Sequence, residues 1–336
     1  MKRIFRAGPP HCRSLLVVLG AFIAPSVATA MDTEREEINT FIEELATDEG
    51  FDRAYLEATL DNAEMQQGII DAMMRPAEKT LTWAEYRAIF MTDKRIGAGV
   101  KFHGEHQEKL EQIAADTGVP VSMVLGIIGV ESFFGRITGK HRVVDALATL
   151  GFDYPPRSKF FRSELGHVFR LAREEDMDIL ELTGSYAGAM GPPQFMPSSY
   201  RAYAVDGDGD GKRDLLNSWD DVMASVANYF VAHKWQSGQP VAELATLKDD
   251  AAEPPLNESL KLKSTVGELS AAGVLFQTEL AADSKAGLWQ LEGEEGDEYW
   301  VGFDNLYVIT RYNRSVMYAL AAWQLGDAIV RAAENP

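Results

Sequence analysis

The sequence predicts a mainly α protein with a small β-containing insertion, and three observations carry that reading. Apolar residues recur at helical spacing through most of 31–240, an alternating hairpin pattern occupies part of 241–306, and helical spacing returns over 307–336. Hydrophobic residues make up 46% of the 336 residues, enough for a sizeable core.

The first 30 residues stand apart. Lys2, Arg3, Arg6 and Arg13 give a positive start, 15–23 a short apolar run, and Ala28-Thr29-Ala30 an A-x-A cleavage pattern. A run of that length is too short to span a bilayer, so 1–30 is expected to be a cleavable export signal. Cys12, the single cysteine, precedes the apolar run, so lipidation is not expected, and the mature chain has no disulfide or thiolate chemistry. The formal charge is −19, and loss of the cationic leader makes it more negative still. Such a chain repels polyanions, which excludes nucleic acid as a partner class and suits divalent cations.

Over 31–100 the pattern is a helical N-terminal region. Ile38, Phe41, Ile42 and Leu45 mark a first helix and 51–63 a second; Pro76 interrupts, and Thr82-Trp83-Ala84-Glu85-Tyr86 opens another. A core region is expected over 101–240. It begins with an amphipathic helix over 103–117 closed by Gly118. Next, Pro120-Val121-Ser122 starts an almost wholly apolar helix that Gly135 should stop. Helices over 145–173 break at Tyr154-Pro155-Pro156, a Gly-rich loop spans 184–199, and 221–233 is helical again. Within 241–306, an acidic stretch with Pro254-Pro255 precedes a hairpin whose strands flank Gly293-Glu294-Glu295-Gly296. The segment 307–336 supplies a C-terminal helix that completes the core.

Glu131 is the most informative residue. A helix apolar all round is buried, and this one carries a single acid. Burial disfavours the charged carboxylate, so such a group holds a proton near neutral pH and can give it to a leaving oxygen. The loop 184–200 adds small residues, hydroxyls and Gln194, a composition that lets backbone approach a ligand.

Taken together, Gly129-Val130-Glu131-Ser132, Asp145-Ala146-Leu147-Ala148-Thr149-Leu150, the 184–200 loop, Ser225-Val226-Ala227-Asn228-Tyr229-Phe230 and Thr310-Arg311-Tyr312-Asn313 resemble the family B lytic murein transglycosylases. The resemblance spans roughly 37–328. It implies a lysozyme-like helical catalytic domain in which Glu131 is the sole acid and base. It implies cleavage of the β-1,4 bond between N-acetylmuramic acid and N-acetylglucosamine in peptidoglycan, with a 1,6-anhydromuramoyl end as product, in the periplasm. By the same resemblance the substrate contacts fall on Tyr86, Arg157, Ser185, Gln194, Tyr229, Tyr312, Asn313 and Tyr318. The family pattern has two arginines where this chain has Pro156-Arg157.

Asp206-Gly207-Asp208-Gly209-Asp210-Gly211 opens like an EF-hand loop, with acids at positions 1, 3 and 5 and a glycine at 6. Lys212 would add its backbone carbonyl and Asp214 a water-mediated contact. Asn217 stands at position 12, where a glutamate is usual; the family likeness implies closure by Asp220 or, preferably, Asp221. The expected cofactor is a structural calcium ion, with no organic cofactor. Two other readings compete. One is a hydrolytic muramidase, for which Asp145 is the available second carboxylate; the other is a non-catalytic calcium-dependent cell-wall-binding protein.

Overall fold

A computed structural model describes residues 29–74, 81–248 and 254–335. Nearly all of the expected leader, Pro76, and 249–253 of the acidic stretch lie outside the described residues.

The helices follow one another as α1 (Glu36–Glu49), α2 (Arg53–Asp61), α3 (Gln67–Met73), α4 (Trp83–Phe90), α5 (Asp93–Thr117), α6 (Val121–Ser132), α7 (Val143–Asp153), α8 (Ser158–Glu174), α9 (Pro197–Tyr203), α10 (Trp219–Ala232), α11 (Val266–Ala271), α12 (Asp304–Tyr312) and α13 (Val316–Glu334). A single 3₁₀ turn at Pro155–Arg157 separates α7 from α8, where the prolines called for a break.

Local chemistry sets many of these ends. Thr82 and Glu85 form a reciprocal capping box at the start of α4, and α5, capped by Thr92, begins ten residues before its expected start. Gly50 and Gly118 end α1 and α5 in the left-handed conformation. The expected stop of α6 differs. The helix ends at Ser132, and Phe133 (φ 52°), Phe134 (φ 56°) and Gly135 (φ 76°) are all left-handed. Two of those three residues bear the steric cost that glycine avoids.

Two short antiparallel pairs border the helical body, β1 (Thr29–Ala30, the last two residues of the expected leader) with β2 (Glu64–Met65) and β3 (His141–Arg142) with β4 (Thr183–Gly184). Asp145, on the first turn of α7, anchors the first pair. It is 2% exposed, takes Arg142 in a two-pronged ion pair, and accepts from the Glu64 amide. Removing the cation would leave a buried charge short of partners. R142M should therefore cost about 3 kcal/mol, read as a lowered urea midpoint with an unchanged slope.

The β-containing segment is a five-stranded antiparallel sheet. It comprises β5 (Ala242–Leu247), β6 (Ser264–Thr265), β7 (Val274–Leu275), β8 (Lys285–Glu292) and β9 (Asp297–Gly302), in the order β6-β8-β9-β5-β7. The expected hairpin is its centre, pairing Trp289 with Trp300. Val266, Leu269, Val274, Leu288, Val301 and Phe303 form its own small core under α11. Trp83 of α4 and Trp300 both donate to Glu298 Oε2, at 2.9 and 2.8 Å, and so tie the sheet to the helical body.

At the centre of the helical body α6 crosses α13. A Cβ on Gly126 would lie 2.1 Å from the Ala322 carbonyl oxygen, and one on Gly326 would lie 1.8 Å from that of Ser122. The two backbones are in contact because neither glycine has a side chain. These pairings run antiparallel, so the same register carries Tyr318 of α13 to Glu131 of α6.

Candidate active site

Glu131 occupies the last turn of α6. Met123, Val124, Leu125, Ile127 and Ile128 before it are essentially inaccessible, whereas Glu131 is half-buried. Its carboxylate is therefore at the edge of the core, neither sealed in nor free in solvent. The Tyr318 hydroxyl donates to Glu131 Oε1 at 2.5 Å.

Tyr318 is 2% exposed, and burial, then the Glu131 charge, hold its phenol well above the ordinary tyrosine range. Tyr312 is held up in the same way, by burial first and Glu131 second. Both hydroxyls therefore stay protonated and serve as donors. Tyr312 donates a hydrogen bond to the Pro193 carbonyl at 2.6 Å and lies nearly parallel to Tyr318, ring centres 6.5 Å apart. Tyr229 packs 4.8 Å from Tyr312, stacks on His233, and donates to the Arg311 carbonyl at 2.6 Å.

The structure thus joins Glu131, Tyr318, Tyr312 and Tyr229 into one contiguous cluster. Tyr86 is also close enough to act electrostatically on Tyr318. The hydroxyls of Tyr229 and Tyr312 are spent on backbone carbonyls, and Tyr86 and Tyr229 are 4% and 7% exposed. Tyr86 and Tyr229 are thus packed largely into the core. Asn313 caps α12 between Tyr312 and the Ser315 cap of α13, half-buried.

Gln194 sits in the left-handed region (φ 49°), with its amide nitrogen donating to Thr138 O at 3.0 Å and Gly191 O at 2.8 Å. Its neighbours Pro193 and Phe195 both touch Tyr312, which ties the loop to the tyrosine cluster. Ser185 Oγ accepts from the Ala187 and Ala189 amides, so that hydroxyl also shapes the loop's own turn. Arg157 lies outside the cluster at the α7–α8 junction. It is exposed, its guanidinium over Phe160 (4.4 Å) and Phe161 (5.1 Å). Asp145, the one alternative second carboxylate, is committed to Arg142 and the Glu64 amide. A groove of about 800 Å³ between α1 and α8 includes neither Glu131 nor any other site residue expected from the sequence.

In the acidic loop, carboxylate oxygens of Asp206, Asp208 and Asp210 all lie within 4.8 Å of one another. Gly209 and Gly211, at φ 81° and 91°, allow the loop to fold back. Asp206 accepts from the Gly209, Asp210 and Gly211 amides, which keep its carboxyl below the usual range. Asp214 and Asp221 are used differently. Asp221, 1% exposed, accepts from the Gly207 and Asp214 amides and clasps both ends of the loop. Asp214 accepts from the Leu216 and Asn217 amides. Asp220 is ion-paired with Lys109, and Lys212 lies exposed in the same turn.

One residue near Glu131 escaped sequence reasoning. Arg95 of α5 donates to the Gly129 carbonyl at 2.8 Å, two residues before Glu131 on α6. An arginine 34 residues away gives no sequence signal for such a contact.

Among the described residues no single helix is long and apolar enough to cross a membrane. The family model for the transglycosylase SLT domain matches residues 33–327. The chain is 42% identical over 303 residues to the membrane-bound lytic murein transglycosylase B of Escherichia coli K12, covering 87% of this chain and 82% of that one. It superposes on the soluble lytic transglycosylase SltB1 of Pseudomonas aeruginosa with a TM-score of 0.84 and 49% identity, covering 88% of this chain and 99% of that one. It also superposes on the Escherichia coli lytic transglycosylase Slt35 in complex with calcium, with a TM-score of 0.83 and 39% identity over 91% and 97% of the two chains. By sequence, fold and the extent of both matches, the chain belongs to the transglycosylase SLT domain family and stands among its lytic murein transglycosylases.

Proposed function

We propose that the protein cleaves the β-1,4 bond between N-acetylmuramic acid and N-acetylglucosamine in peptidoglycan glycan strands and leaves a 1,6-anhydromuramoyl end. The observation that carries this reading is Glu131, a lone acid at the rim of an apolar helix, gripped by a protonated tyrosine and bordered by aromatic rings.

In this reading Glu131 gives its proton to the glycosidic oxygen as the bond to the anomeric carbon breaks. The departing N-acetylglucosamine keeps that proton as a hydroxyl. Glu131 then takes the proton of the muramoyl 6-hydroxyl, whose oxygen closes onto the anomeric carbon. The carboxyl ends as it began and no water is consumed. One carboxyl serving as acid and then base needs no nucleophilic partner, in keeping with the commitment of Asp145 elsewhere. A hydrolytic muramidase would call for a second free carboxylate.

The tyrosines would pack ring faces on pyranose C–H groups, Gln194 and Ser185 would orient the N-acetyl group, and Arg157 would pair with a substrate carboxylate. Tyr318 steadies the Glu131 side chain, so Y318F should lower kcat about 10-fold in a turbidity assay on purified sacculi while leaving the fold intact. Mass spectrometry of the same digests tests the reaction itself: anhydro ends are expected, and reducing ends would mean hydrolysis. The periplasm, reached through the leader at 1–30, is where this substrate lies.

The acidic loop fits a structural calcium ion through Asp206, Asp208 and Asp210, and Asp221 would act by holding the loop closed. A hard cation suits three converging carboxylates, and the related Slt35 has been crystallised with calcium. Calcium at about 100 times its Kd would add about 2.7 kcal/mol of stability, so chelation should lower the melting temperature by several degrees. D208A should melt at one temperature with or without calcium; a wild-type response from that variant would remove the ion from this loop.

A further inference from the structure

The last carbonyls of any helix lack intrahelical donors. In α6 the accounts differ carbonyl by carbonyl. Ile128 O takes the Phe133 and Phe134 amides, and Ser132 O takes that of Ile137. The Gly129 and Val130 carbonyls, directly before Glu131, take neither; Arg95 Nη1 reaches them at 2.8 and 3.5 Å. The same guanidinium lies 4.7 Å from the ring centre of Phe133 and 5.1 Å from that of Phe90, within range of a cation–π contact with each.

This arrangement is costly. Burial draws the guanidinium's pKa below its ordinary value, and Arg95 Nε is buried without a hydrogen-bond partner. A partly desolvated cation with an orphaned donor is a poor way to gain stability. Its contacts nevertheless converge on one place. They hold the two carbonyls before Glu131 and the left-handed Phe133 two residues after it.

We propose that Arg95 is a positioning residue for Glu131: from α5 it clamps the frayed end of α6, fixing where the carboxyl stands relative to Tyr318. The role rests on the assignment of Glu131 as the acid and base. A misplacement of the acid by about 1 Å is enough to cost catalysis about 100-fold, whereas substrate contacts made by the tyrosines, Gln194 and Arg157 do not depend on this clamp.

The test uses R95M, R95K and R95A in the full-length protein, with kcat, KM and melting temperature measured for each. R95M, which keeps the hydrocarbon bulk and loses the donors, should lower kcat at least 10-fold with KM within twofold. R95K returns a charged donor without the planar stack and should recover part of that loss. In R95A, low millimolar guanidinium, far below denaturing levels, should raise kcat while leaving the melting temperature unchanged. Wild-type kcat in R95M at an assay temperature where it is folded, or a loss that follows the melting temperature and ignores guanidinium, overturns the proposal. E131Q separates the two readings. If E131Q is inactive and the Arg95 variants keep wild-type kcat, only the clamp is wrong; an active E131Q removes the acid itself.

Discussion

E131Q should lose turnover on purified sacculi by about 1,000-fold or more and still bind glycan strands. General acid–base catalysis contributes about 100- to 10,000-fold, and here one carboxyl is asked to serve in both proton transfers, so the loss falls at the upper end. Glutamine keeps the size of the side chain and can still accept from Tyr318 through its carbonyl oxygen, so the tyrosine that reaches Glu131 at 2.5 Å keeps its partner. Melting temperature should move little. Pull-down of the variant with insoluble peptidoglycan, beside the turbidity assay, separates lost chemistry from lost binding. Unchanged lysis would exclude the role; lysis and binding lost together would mean that Glu131 serves glycan binding rather than proton transfer.

The second large effect concerns glycine. Alanine is normally the better helix former by about 1 kcal/mol, so G326A in mid-helix would be stabilising on propensity alone. The opposite is expected. The added Cβ would lie 1.8 Å from the Ser122 carbonyl oxygen, and both clashing partners are backbone. Nothing can rotate away, so α13 must move from α6. Overpacking typically costs about 1–3 kcal/mol; a backbone-to-backbone collision belongs at or above the top of that range. G326A should therefore lose about 3 kcal/mol, and G126A a similar amount. Because the α6–α13 register sets the Tyr318–Glu131 contact, kcat should also fall in whatever fraction stays folded. Chemical denaturation with kinetics in the absence of denaturant reads both. A stability gain in either variant would mean that the helices do not touch here.

How much of this was legible in the sequence depends on whether the signal is local. The longer helices announced themselves by periodicity, and the hairpin by its turn; the short α3, α9 and α11 gave no such signal. Glu131 was legible because it is the single acid in an almost wholly apolar run. The acidic loop was legible because its ligands are near neighbours in the chain. What stayed hidden was tertiary. Gly126 and Gly326 look like weak points in their helices until the crossing is seen. Arg95 precedes the amphipathic helix expected over 103–117 and looks like one more surface cation. Gly135 seemed the natural stop for α6, yet Phe133 and Phe134 take the left-handed turn first, held by contacts no local propensity contains. Asp221 was expected through family likeness to close the metal loop with a ligand; in the structure its carboxylate clasps two backbone amides, a use that depends on the loop already being folded.

The most direct measurement is a digestion of purified sacculi in water enriched in oxygen-18, followed by mass spectrometry of the new glycan ends. If Glu131 passes a proton out and takes another back while the muramoyl hydroxyl closes the ring, every new end is an anhydro sugar and carries no heavy oxygen. Reducing ends that have gained one labelled oxygen would mean that water attacked the anomeric carbon, and would contradict the one-carboxyl account.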